Sequence, residues 1–256
     1  MNYFGSASTD VGILKETNQD SVCIKIADFD EKGQVAMAVI CDGMGGLAKG
    51  ELASATVIRR FSDWFEKELP KGIGSYSWQK LSDEWTKLIR QQNHKILEYG
   101  KKIDVNLGTT VSALLIIENN YMIAHVGDSR VYEIKDSVNQ LTEDQTFIRR
   151  EIKAGRMTTE EAATHPKRNM LLQCVGASRE VNPDIKFGAV TPNTVYMLCS
   201  DGFRHVLTDS ELYENFSPIN INSIETMKQN SDYLIDVVKK RNERDNITVA
   251  LLKSIM

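Results

Sequence analysis

Residues 109–134 read TTVSALLIIENNYMIAHVGDSRVYEI, and three strands can be read from them. Thr109–Ile117 and Tyr121–Val126 are runs of β-branched and apolar residues, and Asn119-Asn120 between them suits a tight hairpin turn. Gly127, Asp128 and Ser129 break the second run before Arg130–Ile134 starts a third. Working outward, strand-like runs recur at Ser21–Ala27, Gln34–Asp42, Val195–Ser200 and Ile247–Leu252. Two long amphipathic helices separate them: one with Leu52, Ala55, Ile58, Phe61 and Phe65 on a face, the other with Leu81, Trp85, Leu88, Ile89, Ile96 and Leu97. Strands in neighbouring pairs with helices between them predict a mainly antiparallel sheet structure covered by helices.

Smaller signals complete the outline. Pro70–Ser77, with two glycines and a proline, predicts a loop. Thr142 with Gln145, Thr158 with Glu161, and Thr208 with Glu211 have the spacing of capping boxes. A last helix is expected over Ser231–Arg241. No repeat, low-complexity tract or Pro/Ser-rich linker divides the 256 residues, so one domain spanning 1–256 is expected.

Composition narrows the function. Hydrophobic residues at 41% and charged residues at 26% are ordinary globular values. A net charge of -4 argues against nucleic acid and anionic membrane as partners. No apolar run approaches the ~18 residues of a membrane span, and the N-terminus MNYFGSASTD lacks signal-peptide character. Cys23, Cys41, Cys174 and Cys199 have no metal-knuckle spacing and read as reduced core thiols. A soluble, cytoplasmic protein is expected.

Aspartates recur where strands end. Asp42 follows Val35–Cys41, Asp128 follows Ile123–Val126 and Gly127, Asp201 follows Val195–Ser200, Asp245 precedes the last strand, and Asp20 precedes the first. One Asp in such a place is usually a turn former. Five of them suggest more: carboxylates on stiff strand ends that converge would repel one another unless a cation lay among them. All-oxygen ligation selects hard ions, Mg²⁺ or Mn²⁺. Two such ions could activate a bridging water for displacement at phosphorus.

Asn18-Gln19-Asp20, Asp42-Gly43-Met44-Gly45-Gly46, Gly108-Thr109-Thr110, Val126-Gly127-Asp128-Ser129-Arg130, Leu141-Thr142-Glu143-Asp144, Ser200-Asp201-Gly202 and Asp245-Asn246-Ile247-Thr248 resemble, in order, the motifs of the type 2C (PPM) protein phosphatases, in the form seen in the bacterial branch. The resemblance covers essentially the whole chain. It implies an α+β fold, a four-layer α/β/β/α sandwich of two antiparallel sheets flanked by helices. It implies hydrolysis of phosphoserine and phosphothreonine in proteins by a hydroxide bridging two divalent ions, with no covalent enzyme intermediate. Asp42 would bridge the ions, the Gly43 carbonyl would ligate one, and Asp201 and Asp245 would complete the other's shell. Asp20 would act through metal-bound water, and Asp128 with Asp201 would hold a weaker third ion. Residues 145–176 resemble the family's flap, with His165 in a structural role there. A cognate serine/threonine kinase and its substrates are the implied partners, and a monomer is expected.

Two positions depart from the pattern. Lys15 stands where the family usually has an arginine that grips the substrate phosphate; a point charge replaces a planar fork, so weaker phosphate binding is expected. Met44 stands where eukaryotic relatives carry a proposed general-acid histidine, and it cannot donate a proton. Gln145, where relatives often have histidine, fits the capping box. Among rival readings, Gly43–Ala48 matches G-x-G-x-x-A after an apolar strand, as in dinucleotide binding. Asp42 would then sit beside the pyrophosphate, and Asp63, about 20 residues on, falls inside a helix. Cys174 and Arg179 are one residue too close for a C-x₅-R phosphatase loop, and no Walker motif is present. A metal-site scaffold retained only for binding is the non-enzymatic alternative.

Overall fold

The computed structural model describes residues 1–29, 32–44 and 49–255. In chain order its strands are β1 (Asn2–Asp10), β2 (Ser21–Phe29), β3 (Gly33–Cys41), β4 (Val111–Ile117), β5 (Asn120–Val126), β6 (Arg130–Ile134), β7 (Val138–Gln140), β8 (Asp184–Ala189), β9 (Val195–Cys199) and β10 (Ile247–Ile255). The helices are α1 (Gly50–Lys67), α2 (Leu69–Gly72), α3 (Trp78–Ile103), α4 (Phe147–Lys153), α5 (Thr159–Thr164), α6 (Asp201–Arg204), α7 (Asp209–Phe216) and α8 (Ile224–Lys240).

The strands form two sheets, ordered β1-β10-β9-β6-β7 and β2-β3-β4-β5-β8. Every strand pair is antiparallel. The reason for two stacked sheets is visible in β3. Val35, Met37, Val39 and Cys41 point into a core shared with α1 and α3, while Ala36, Ala38 and Ile40 point into a core shared with β9 and β10. Side chains alternate along a strand, so an unbroken apolar run must be covered on both faces. On the far side Phe203, Leu212, Phe216, Met227 and Leu234 cover β9 and β10. The result is the expected four-layer α/β/β/α sandwich. Antiparallel pairing on both sides of β3 excludes the dinucleotide-binding reading, which needs parallel βαβ units. The part of that motif at residues 45–48, like Gly45-Gly46 of the phosphatase motif, lies outside the described residues.

Several expectations are corrected. β1, β7 and β8 were not expected; β1 carries Gly5, Ser6, Ser8 and Thr9, β7 is three residues long, and most of β8 is exposed, so none shows a clean alternation. Pro70–Ser77 is not a plain loop: α2 and a 3₁₀ turn at Ile73–Ser75 run through it, burying Leu69 and Ile73. Pro70 lies in a first helical turn, where its missing N–H costs nothing. The buried stripe of α1 is Ala53, Val57, Phe61, Trp64 and Phe65, leaving Leu52 and Ala55 exposed. Both stripes contain Phe61 and Phe65; the choice is made by Trp64, whose ring packs edge-on against Trp85 at 5.4 Å, with Phe61 at 5.0 Å on the same ring. Helix α8 begins seven residues earlier than expected, capped by Ser223.

The capping boxes at Thr158/Glu161 and Thr208/Glu211 are present. That at Thr142/Gln145 is not: the helix starts after Thr146. Thr142 Oγ1 instead accepts from Val131 N at 3.1 Å. Gln145 Oε1 accepts from Gly127 N at 2.9 Å, and its Nε2 donates to Asp184 at 2.7 Å. The amide thus ties the β5–β6 turn to β8. Among the described residues no helix is long and apolar enough to cross a membrane.

Candidate active site

All five aspartates lie at one end of the sandwich because the strand registers put them there. Ser21 pairs with Cys41, the last pair of the β2–β3 ladder, so Asp20 and Asp42 leave the sheet side by side. Val111 pairs with Val126, which brings the turn carrying Asp128 next to Thr110. Val249 pairs with Cys199, so Asp201, at the start of α6, emerges beside Asp245. Gly202 fixes the last approach: a Cβ there would lie 2.2 Å from the Asn246 carbonyl oxygen and 3.2 Å from Asp245 Cβ. Any side chain larger than hydrogen would push α6 off β10.

The other residues of these motifs hold the aspartates' surroundings in place. Asp42 N donates to Thr110 Oγ1 at 2.9 Å, and the Asp42 carbonyl accepts from Thr110 N and Thr109 Oγ1, both at 2.9 Å. Thr110 Oγ1 also lies 2.8 Å from Ser129 Oγ, beside Asp128. Asn246 Oδ1 accepts from Gln19 N at 2.9 Å, and its Nδ2 donates to the carbonyls of Val11 at 2.9 Å and Thr17 at 3.2 Å. Arg130 grips Asp144 with two bonds of 2.8 and 2.7 Å. Arg204 reaches the Asp128 carbonyl at 3.2 Å and Asp144 at 3.5 Å. Although burial pushes the Asp144 carboxyl up, these two guanidinium groups hold it below the usual range.

The electrostatics are those of crowded like charges. Burial, then the charges of Asp20, Asp201, Asp128 and Asp245, raise Asp42 well above the carboxylate range. Burial, with Asp201 and Asp245 adding to it, pushes Asp20 up to about 7 against the pull of the Thr248 and Ser200 hydroxyls. Burial and Asp201 push Asp128 up to about 7, against the pull of Arg204. Both carboxylate oxygens of Asp20 and Oδ1 of Asp201 are buried without a hydrogen-bond partner. Among the described residues no three acidic, His or Cys side chains are drawn close enough to enclose an ion, a spacing that repulsion among ionised carboxylates favours. Buried, unpartnered carboxylate oxygens on aspartates close enough to shift one another's titration, all of them hard donors, fit a divalent cation of the Mg²⁺ or Mn²⁺ type.

Lys15 does not stand free beside this cluster: its Nζ is 3.0 Å from Asp245 Oδ1. Gly43 forms a bridge with Thr109, and Met44 N donates to the Gly108 carbonyl at 3.1 Å. Two residues escaped the sequence reading. His205 lies between Asp201 Oδ2 at 3.6 Å and Glu243 Oε2 at 3.5 Å, and the bond to Glu243 raises its pKa. Its i,i+4 spacing from Asp201 on a helix was the available signal. Arg204 offered none. His165 stacks on Phe147 with ring centroids 5.5 Å apart, within a segment closed at its base by Phe147 N to Met170 O and Leu172 N to Gln145 O, each 2.8 Å.

Residues 14–240 match the family model described as Protein phosphatase 2C. The chain is 29% identical over 250 residues to the protein phosphatase PhpP of Streptococcus pneumoniae, covering 96% of both chains. It is 29% identical over 248 residues to the serine/threonine phosphatase stp of Listeria monocytogenes, covering 96% of this chain and 93% of that one. The solved structure of the S. agalactiae serine/threonine phosphatase superposes with a TM-score of 0.85 at 30% identity, over 99% of this chain and 100% of that one. The catalytic domain of the phosphatase PstP in complex with two manganese ions gives a TM-score of 0.79 at 27% identity, over 99% of each chain. The fold and its acidic strand ends define a hydrolase acting on phosphoproteins, of the bacterial PPM kind. The chain belongs to the protein phosphatase 2C family.

Proposed function

We propose that this enzyme dephosphorylates phosphoserine and phosphothreonine in proteins using Mn²⁺ or Mg²⁺ held by Asp42, the Gly43 carbonyl, Asp201 and Asp245. Asp20 acts from behind that shell, and Asp128 with Asp201 holds a weaker third ion. The observation that carries the reading is the convergence of five strand-end aspartates in which buried oxygens of Asp20 and Asp201 make no hydrogen bond of ordinary geometry. When bound, the cations supply a water acidic enough to ionise near neutral pH and neutralise charge on the phosphoryl oxygens. The protein's part is positioning. Thr109 and Thr110 fix the Asp42 backbone, Gly202 sets the distance from Asp201 to Asp245, and Arg204 holds the Asp128 carbonyl. Lys15 turns from Asp245 toward the substrate phosphate, and residues 145–176 serve as a flap beside the site.

The names of the relatives support serine and threonine as the substrate residues, and two manganese ions in PstP support the metal. A serine/threonine kinase whose phosphorylations are reversed here is the partner class this reading implies. The test is hydrolysis of p-nitrophenyl phosphate after EDTA, then with Mn²⁺ or Mg²⁺ restored, alongside calorimetric titration of Mn²⁺. Wild type should regain turnover and bind the ion; Asp201→Asn should do neither. Equal Mn²⁺ binding by the variant would sink the ligand assignment.

A further inference from the structure

Ile13 is 51% exposed and Leu14 is 64% exposed, side by side in the turn that follows β1. Single apolar residues in water need no explanation. Two adjacent ones on a fastened turn do. Gly12 N donates to Asp10 Oδ1 at 2.8 Å, while Asp10 Oδ2 takes Lys239 Nζ at 2.9 Å. The Val11 and Thr17 carbonyls both accept from Asn246 Nδ2. Gly12 has a φ of +79°, and a Cβ there would lie 2.4 Å from the Asp245 carbonyl oxygen. Lys15, next in the chain, pairs with Asp245 itself. The turn is therefore bolted to the segment carrying a candidate metal ligand, and it presents two large apolar side chains to solvent at the rim of the site.

We infer that Ile13 and Leu14 form a lip that receives an apolar side chain flanking the phosphorylated residue of the substrate protein. The inference rests on the phosphatase reading above and adds a preference for sequence around the phosphosite. The distances suit it. A lysine stem reaches roughly 6 Å, and an extended substrate strand advances ~3.3 Å per residue. An apolar residue two or three positions from a phosphate gripped by Lys15 thus falls on the lip. A free apolar surface gains from covering such a side chain, whereas a small or polar flank leaves both wet.

The test uses seven-residue phosphothreonine peptides in a Gly/Ser background with one leucine moved through every flanking position. For the Mn²⁺-loaded wild type, kcat/KM should rise about tenfold at one or two positions, the scale of partly burying one leucine. The Ile13→Ser/Leu14→Ser variant should lose that rise, while its kcat/KM for p-nitrophenyl phosphate, which has no flank, stays within twofold. A photo-leucine at the preferred position should crosslink to residues 12–15. Wild type that hydrolyses all peptides equally overturns the lip and leaves the phosphatase reading intact; wild type inactive on every substrate overturns the reading itself. Parallel loss of peptide and p-nitrophenyl phosphate turnover in the variant, or a sedimenting dimer that the variant dissolves without any flank preference, also overturns the lip.

Discussion

Lys15 Nζ and Asp245 Oδ1 are 3.0 Å apart, so the cation proposed to grip the substrate phosphate is held by a carboxylate proposed to ligate a metal. Both side chains are partly exposed, at 27% and 40%, and a pair in that setting contributes ~0–1 kcal/mol. That is weak enough to be exchanged for a doubly charged phosphate. Lys15→Ala should raise KM for p-nitrophenyl phosphate about tenfold with a smaller change in kcat. Lys15→Arg should lower KM, since a planar fork takes two phosphate oxygens at once. Steady-state kinetics at saturating Mn²⁺ decide it; an unchanged KM in both variants would remove Lys15 from phosphate binding.

Gly202 tests the geometry of the metal site without touching a ligand. Gly202→Ala puts a methyl 2.2 Å from the Asn246 carbonyl, and backbone cannot yield as a side-chain tip can. Overpacking of this kind costs ~1–3 kcal/mol, read as a lower urea midpoint. More tellingly, the displacement separates Asp201 from Asp245, so Mn²⁺ affinity should fall at least tenfold by calorimetry. Loss of stability with unchanged affinity would mean that the two aspartates do not share an ion.

The layers and the acidic strand ends were legible in the sequence because both rest on local pattern. β3 is apolar without interruption from Val35 to Cys41 and β4 from Ala113 to Ile117; Asp42 follows the first, and Asp128 follows the largely apolar β5. What was hidden depends on tertiary partners. Edge strand β1 is weakly patterned and exists because β10 offers it a nine-residue ladder. The rotation of α1 was decided by Trp64 against Trp85, a contact between helices. Thr142 and Gln145 have capping-box spacing, yet each finds a better partner across the fold, in Val131 and in Gly127 with Asp184. His205 became part of the site through Glu243, far along the chain.

His125, which is not a candidate metal ligand, supplies a pH prediction of its own. It is 1% exposed, its Nδ1 lies 2.9 Å from Ser112 Oγ, and its Nε2 has no partner. Burial lowers its pKa below the ordinary 6.5. The folded state thus disfavours the imidazolium, and stability that is whole above pH 6.5 is lost as pH falls through that value. The slope is at most about 1.4 kcal/mol per pH unit. In EDTA, wild type should lose more stability between pH 7.5 and 5.5 than His125→Asn, which keeps a partner for Ser112 and has no charge to gain. Urea midpoints at the two pH values give the difference; identical losses would contradict it.

Asp42 carries the sharpest trade between stability and function. Burial and four neighbouring aspartates raise its pKa well above the carboxylate range, so ionising Asp42 in the empty site costs stability, and a bound divalent cation would offset that cost. Asp42→Asn removes the charge and keeps the shape. In EDTA at pH 8 the variant should therefore melt at a higher temperature than wild type, as expected where function opposes stability. Adding Mn²⁺ should reverse the order: wild type gains stability in proportion to the logarithm of ion concentration over Kd, and the variant does not. Its turnover of p-nitrophenyl phosphate should fall to background. Thermal melts of both proteins with and without Mn²⁺ separate the two effects. A variant less stable than wild type in EDTA would show that the buried Asp42 charge does not limit the stability of the empty site.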